Sequence, residues 1–382
     1  MSVHPNVPKI VKLITSKIRT MEDKREEWAA FKRENARMFS KLLMLEHTTF
    51  DNPGSLINFD IDDERQLILL NYTGQAHNAL HHIDGGWTVP LRQMRGIIYD
   101  FSVEEPVLVS RSFAKFFNYN ELPETTTYDL KKRHGDGKFV CREKADGHMV
   151  QYFVHQGELC SSTRGKFDTV TADIANNMLA LSDFQDIERA TGKQLMSLVV
   201  ELVHPETKVH VDYDNAERLY LLTAFDSDGK KLDLSELNHI CETCPQLLQA
   251  PSFRELTVDE IASEVLRREV KNHEGWVADF NGELVKFKYI DYIGLMVQRN
   301  LSYKYIMNCI KSDRLDKMLF TLPEEVRDTA YSMVETLNKV AAEAVKQNDH
   351  KILYNLHSVM EGGTAYFRTV CRRFFKFMLE TA

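Results

Sequence analysis

The chain has 382 residues, 43 % of them hydrophobic and 27 % charged, ordinary globular usage that excludes wholesale disorder and leaves room for more than one buried core. Its 48 Lys and Arg against 56 Asp and Glu leave a formal charge of −8, which argues against a protein that coats nucleic acid by bulk attraction, because such domains are usually basic. Six cysteines are too few for a disulfide scaffold. No stretch approaches the ~20 apolar residues of a membrane span, and the amino terminus lacks the apolar core of a secretion signal, so a soluble cytoplasmic protein with no membrane partner is expected.

In chain order, apolar Ile10, Ile14, Ile18, Trp28 and Phe31 recur among Lys, Arg and Glu between Pro8 and about Leu45, which predicts helix. From about Leu67 to Lys288 short β-like runs (66–72, 96–100, 107–110, 150–155, 196–203, 219–224 and 275–280) alternate with turns such as Gly135-Asp-Gly, Asp228-Gly and Asn281-Gly. Helices are predicted over Thr171–Leu181 and over Thr257–Glu269, where Thr257 and Glu260 have the spacing of a capping box. Cys241-Glu-Thr-Cys244 stands without a second pair, too little for a zinc site of about four ligands. After about Tyr289 the pattern turns helical and stays so. Thr321-Leu-Pro-Glu reads as a helix start. Val326, Ala330, Met333, Val334, Leu337, Val340, Ala341 and Ala344 then follow at helical spacing, and Tyr366, Val370, Phe374 and Phe377 mark a further helix.

Lys144-Ala-Asp146-Gly147, just ahead of a β-like run, suits an amine nucleophile at a strand–loop junction, the glycine letting backbone approach a ligand closely. Alone the tetrapeptide is weak and reads more readily as an exposed turn. Glu201 lies within Leu198-Val-Val-Glu-Leu-Val, where a carboxylate is costly unless it is paired or faces a ligand. Downstream stand His273-Glu274-Gly275-Trp276-Val277 and Val285-Lys286-Phe287-Lys288-Tyr289. Strand residues two apart share a face, so Lys286 and Lys288 are expected to point into one cleft with Phe287 behind them. A solvated edge strand is the alternative.

Taken in order, these motifs resemble those of the covalent nucleotidyltransferases, the superfamily of ATP-dependent ligases and mRNA capping enzymes. Arg95-Gly-Ile-Ile-Tyr-Asp, Ser112-Phe-Ala-Lys115-Phe-Phe-Asn-Tyr-Asn-Glu121, Ser161-Ser-Thr-Arg164-Gly and Val203-His-Pro-Glu-Thr-Lys-Val-His-Val-Asp-Tyr213 narrow the resemblance to the tRNA-repairing phage RNA ligase 1 family, over roughly residues 65–295. The resemblance implies an α+β fold: a nucleotidyltransferase (ATP-grasp-like) domain of antiparallel sheets with helices, followed by an all-helical domain. Residues 1–125 would form its N-terminal part, 126–290 its core and 291–382 a helical RNA-specificity domain. Lys311, Arg314, Lys317, Arg372, Arg373 and Lys376 of that last part are candidates for phosphate contacts or simply solvated helix faces.

The implied chemistry is ATP- and Mg²⁺-dependent sealing of RNA 5′-phosphate and 3′-hydroxyl ends, with Mn²⁺ able to substitute. Lys144 would form lysyl-AMP, which requires activation, since a free lysine of pKa ~10.4 is neutral in about one molecule in 2,500 at pH 7. Tyr72, Arg95, Lys115, Arg164, Glu201, Glu274, Val277, Lys286 and Lys288 would line the ATP site. Asp146, Glu201 and Glu274 would hold the metal through water, with Gly147 and Tyr292 as further site residues. His148 stands where phage enzymes commonly have serine, and Trp276 belongs either to the core or beside the adenine. The expected partners are RNA, with nicked tRNA foremost, and an end-healing kinase or phosphatase. A ligase of broader RNA repair or tRNA splicing, or a tRNA-binding or nucleotide-binding module without catalysis, are the alternatives.

Overall fold

The structure, a computed structural model, describes residues 2–21, 26–48, 50–80, 83, 85–267, 270–321, 324–358, 361 and 363–381. The chain forms two compact units, one of Met1–Val258 with Trp276–Lys286, the other of Asp259–Gly275 with Phe287–Ala382.

In the first unit the predicted N-terminal helix is three helices, Asn6–Ile18, Glu26–Glu34 and Ala36–Leu42. The first buries Val7, Ile10, Val11, Ile14 and Ile18 at the i, i+3, i+4 spacing that puts apolar residues on one stripe. They pack on an antiparallel sheet of β1 (Ile57–Asp62), β2 (Leu67–Tyr72), β3 (Arg95–Asp100) and β4 (Val107–Ser110), ordered β1-β2-β3-β4. The sequence Ile57-Asn-Phe-Asp-Ile-Asp of β1 alternates like a strand, but its acidic residues weaken the β signal, and it was not expected.

The remaining strands are β5 (Phe117–Asn118), β6 (Phe139–Glu143), β7 (His148–His155), β8 (Glu158–Thr163), β9 (Leu195–Val203), β10 (Arg218–Asp226), β11 (Leu247–Leu248), β12 (Phe253–Leu256), β13 (Gly275–Phe280) and β14 (Glu283–Lys288). They make two five-stranded sheets, β11-β10-β9-β7-β8 and β12-β6-β13-β14-β5. Two pairs, β10 with β11 and β14 with β5, are parallel. On the β7–β9–β10 sheet Phe184, Ile187, Leu237 and Ile240 from helices Leu181–Thr191 and Leu234–Thr243 join the core of Leu198, Val200 and Leu221.

The helix predicted over Thr171–Leu181 instead breaks after Met178. Leu179 is extended (φ −136°, ψ 129°) and buried, and the Ala180 amide then donates to the Asp183 carboxylate at the head of a second helix. Such a cap gives the new helix one of its missing acceptors, which helical spacing alone does not reveal.

In the second unit, helix Val258–Val265 stops short of the predicted Glu269, and residues 268 and 269 lie outside the described residues. Helices Ile290–Asn300, Tyr303–Lys311, Leu315–Thr321, Glu324–Gln347 and Thr364–Thr381 follow. They share a core of Ile306, Met307, Ala330, Leu337, Ala341, Ala344, Phe367 and Phe374. Of the expected helix start at Thr321, residues 322 and 323 and the side chains of Thr321 and Val326 lie outside the described residues. In the last helix Val370 and Phe374 are buried as the spacing predicts, Phe367 and Cys371 share their stripe, and Tyr366 is exposed. Lys311, Arg314, Arg372, Arg373 and Lys376 are exposed, and the Lys317 side chain lies outside the described residues. Among the described residues no helix is long and apolar enough to cross a membrane.

Candidate active site

Lys144 stands in the four-residue link between β6 and β7. Three anchors fix this link. Ala145 is buried against Val203 and Tyr220. The Asp146 amide donates to the Tyr213 hydroxyl at 2.8 Å, while Asp146 Oδ2 accepts the amides of His210 and Val211 at 2.8 and 2.7 Å. Gly147 passes so close to β9 that a Cβ there would lie 2.2 Å from the Leu202 carbonyl oxygen. Gly147→Ala should therefore destabilise the protein by about 1–3 kcal/mol, the usual range for overpacking. Urea denaturation measures this, and an unchanged midpoint would contradict the close approach. His148 is exposed, its Nε2 3.0 Å from the Thr207 carbonyl oxygen, so it holds the same 204–213 segment that Asp146 holds.

Glu201 lies on β9, opposite Met149 of β7. It is buried (9 % exposed) and accepts the Gly147 amide at 3.3 Å. Its charge acts on Arg95, whose guanidinium is held below its ordinary value by burial, with Arg164 adding to that effect and Tyr72 and Glu201 opposing it. The carboxylate that looked costly in an apolar strand is offset by a hydrogen bond and a nearby cation.

Around these groups the first unit gathers cations on aromatic faces. The Arg95 guanidinium lies 4.5 Å from the Phe113 ring centre and 5.9 Å from that of Phe116, and the Lys286 ammonium lies 4.6 Å from the Phe116 centre. Lys115 is buried, its ammonium 4.7 Å from the ring centres of both Trp87 and Phe117 and 5.1 Å from that of Tyr72. Arg164 is exposed and donates to the Tyr72 hydroxyl at 3.2 Å. Such faces attract cations through the ring quadrupole without neutralising them. Lys286 is held well below the ordinary lysine value, chiefly by burial and then by the charges of Arg95, Lys115 and Lys144, with Glu121 opposing. Burial lowers Lys115 as well, and Arg95 and Arg164 add to it while Tyr72 and Glu121 oppose. Cations crowded this closely fit an anionic ligand carrying several charges.

Trp87, Phe113, Phe116 and Phe117 were not singled out from sequence. Phe113, Phe116 and Phe117 flank Lys115 in a segment otherwise legible as core, and only alternation with cations hinted at their role. Trp276 is buried on β13 beneath the Arg254 guanidinium, 5.6 Å from the ring centre, and Val277, half-buried, pairs with Arg142 of β6.

The second unit contains the remaining motif residues. Glu274 is buried and pairs with Lys288, Nζ to Oε1 2.9 Å. The Lys288 ammonium also lies 5.1 Å from the ring centre of Tyr292, itself buried. Gly275, at φ +149°, crosses the Phe287 carbonyl so closely that a Cβ would stand 2.0 Å from its oxygen. Phe287 is fully buried and Lys288 half-buried, as alternation along the strand predicts.

A family described as RNA ligase matches residues 93–292, a span running from just before Arg95 to Tyr292. Over 225 residues the chain is 32 % identical to a protein of Thermovibrio ammonificans provisionally named RNA ligase, covering 58 % of this chain and 54 % of that protein. Over 209 residues it is 28 % identical to RNA ligase 1 of bacteriophage TS2126, covering 52 % and 50 %. The chain thus spans about half the length of the curated relatives it matches. A solved archaeal ATP-dependent RNA ligase is similar at a TM-score of 0.49 and 15 % identity, over 75 % of this chain and 76 % of that one. A Naegleria gruberi RNA ligase variant with ATP and Mn is similar at 0.36 and 13 %, over 46 % and 56 %.

Proposed function

The chain belongs to the RNA ligase family of the phage RNA ligase 1 type, and from that premise we propose that it seals RNA 5′-phosphate and 3′-hydroxyl ends with ATP. The observation that carries this reading is the gathering of Arg95 and Lys286 on the Phe116 ring and of Lys115 on the rings of Trp87 and Phe117, in the unit whose anchored β6–β7 link bears Lys144. They fit the phosphates of ATP, which carry several negative charges.

In the first step the Lys144 amine attacks the α-phosphorus of ATP. An N–P bond forms, the bond to the β-phosphate oxygen breaks, pyrophosphate leaves and the amine gives up a proton. An oxygen of the RNA 5′-phosphate then displaces Lys144, leaving AMP joined to the RNA through a pyrophosphate. Finally the 3′-hydroxyl attacks the RNA 5′-phosphorus, loses its proton and expels AMP. Lys286 and Lys288 serve as α-phosphate contacts, and Arg95, Lys115 and Arg164 bind the outgoing phosphates, with arginine suited to bidentate contact. Tyr72 orients Arg164.

A divalent metal, Mg²⁺ or Mn²⁺, supplies further positive charge when bound. Among the described residues no group of three or more His, Cys, Asp or Glu side chains is gathered to ligate one directly, and Asp146 Oδ2 is engaged by two amides. Asp146 and Glu201 of the first unit and Glu274 of the second are the carboxylates that the family resemblance proposes for a hydrated Mg²⁺, which keeps several of its waters. Every motif position holds a competent residue, which favours an enzyme over a binding module.

We assign nicked tRNA as the substrate, with an end-healing kinase or phosphatase preparing its termini and the helices after Tyr292 recognising it. Sealing assays on anticodon-nicked tRNA, a linear single strand and a nicked duplex test both levels. ATP-dependent joining that is fastest on the nicked tRNA is expected. Equal rates on all three would end the tRNA assignment, and no joining of any would end the ligase reading.

A further inference from the structure

Gln151 is fully buried on β7 and joins three strands through one amide. Its Nε2 donates to the Gly96 carbonyl of β3 at 2.5 Å and to Ser162 Oγ of β8 at 3.0 Å, and its Oε1 accepts from Ser110 Oγ of β4 at 3.1 Å. Ser110 and Ser162 are also fully buried. Gly96 follows Arg95, and Arg164 stands two residues beyond Ser162. At this point β3 and the turn after β8 meet backbone to backbone. Gly96 has φ +77°, and a Cβ there would stand 3.2 Å from both the Arg164 carbonyl oxygen and Gln151 Nε2. The neighbouring Arg95 carbonyl accepts the Ser112 hydroxyl. Both carbonyls beside Arg95 are thus held by side chains from outside its strand.

We propose that Gln151 is a positioning residue that sets Arg95 and Arg164 at a shared spacing for the β- and γ-phosphates of ATP. Two guanidiniums repel each other, and a buried, fully bonded amide between their strands holds the spacing before the polyanion arrives. A buried donor or acceptor left unpaired is costly, so no apolar residue replaces this bridge. Gln→Glu retains the shape but removes both donors.

The inference rests on the ATP-dependent ligase reading, and the test separates the two. ATP titrations of lysine adenylylation are run for wild type, Gln151→Glu, Gln151→Leu and Ser162→Ala, beside sealing of RNA already carrying a 5′-adenylate, which has no β- and γ-phosphates to bind. A rise in KM for ATP of about tenfold in the Gln151 variants, smaller in Ser162→Ala, is expected. Sealing of the adenylylated strand should stay within about twofold of wild type. Equal loss in both reactions would mean a merely structural role and overturn the inference, as would an unchanged KM for ATP. A wild type that forms no adduct but seals adenylylated RNA would remove the ATP reading, and this inference with it.

Discussion

Replacing Lys144 by alanine is expected to abolish covalent labelling by ATP carrying label on the α-phosphate, while sealing of pre-adenylylated RNA persists at a measurable rate. The two halves follow from where the lysine's bond is made and broken. Label transfer requires an amine on the chain to form the N–P bond, and of the loop residues Lys144, Ala145, Asp146 and Gly147 only the first has one on its side chain. The closing step joins a 3′-oxygen to the RNA 5′-phosphorus and expels AMP without using that amine. The loop's anchors lie on Ala145, Asp146 and Gly147, so truncating the side chain of Lys144 leaves the fold in place. A labelled adduct that survives denaturation of Lys144→Ala would assign the nucleophile elsewhere. Loss of both reactions, with loss of the thermal transition, would mean that the substitution had only unfolded the protein.

Lys286→Met should have the second largest effect, in opposite directions on activity and stability. The ammonium shares the Phe116 ring with Arg95, and removing one preorganised cation from developing phosphoryl charge costs about 10²–10³-fold in rate, by analogy with loss of one oxyanion donor. Stability moves the other way. In the unfolded chain Lys286 titrates near 10.5, and in the folded chain well below it. Between those two values the unfolded state binds more protons, so stability rises with pH across that interval, and below the folded value the full penalty applies. Lys286→Met removes the penalty. Its melting temperature without nucleotide should exceed wild type at neutral pH, and the rise toward pH 10.5 should shrink to the part left by Lys115, which burial also lowers. A variant as active as wild type would refute the catalytic role. A variant less stable at neutral pH, with the slope intact, would refute the electrostatic account.

Much of this centre was legible in the linear order of motifs. Glu201 stood out by itself, as a carboxylate in an apolar strand, whereas Lys144 and Lys286 stood out only by their order among the other motifs. The strands expected at 66–72, 107–110 and 275–280 were equally plain, since a short apolar run bounded by turn residues is a local property. Phe113, Phe116 and Trp87 were not legible as site residues, because an aromatic ring in an apolar run reads as core whether or not a cation lies over it. The break after Met178 was hidden for a related reason: Leu179 continues the apolar count while its backbone leaves the helix.

Sequence alone therefore determined the family, and with it the chemistry and the nucleophile proposed here, because these depend on residue type and on short, fixed spacings. Only the tertiary structure decided which groups those residues meet. Asp146 gives an oxygen to amides 64 and 65 residues away, and Gln151 reaches a carbonyl 55 residues away. Those meetings are set by strand order, with β7 seated between β8 and β9, and by close approaches that glycine alone permits at Gly96 and Gly147. Pairing across a sheet joins residues by register and not by distance along the chain, so no spacing in the sequence encodes it.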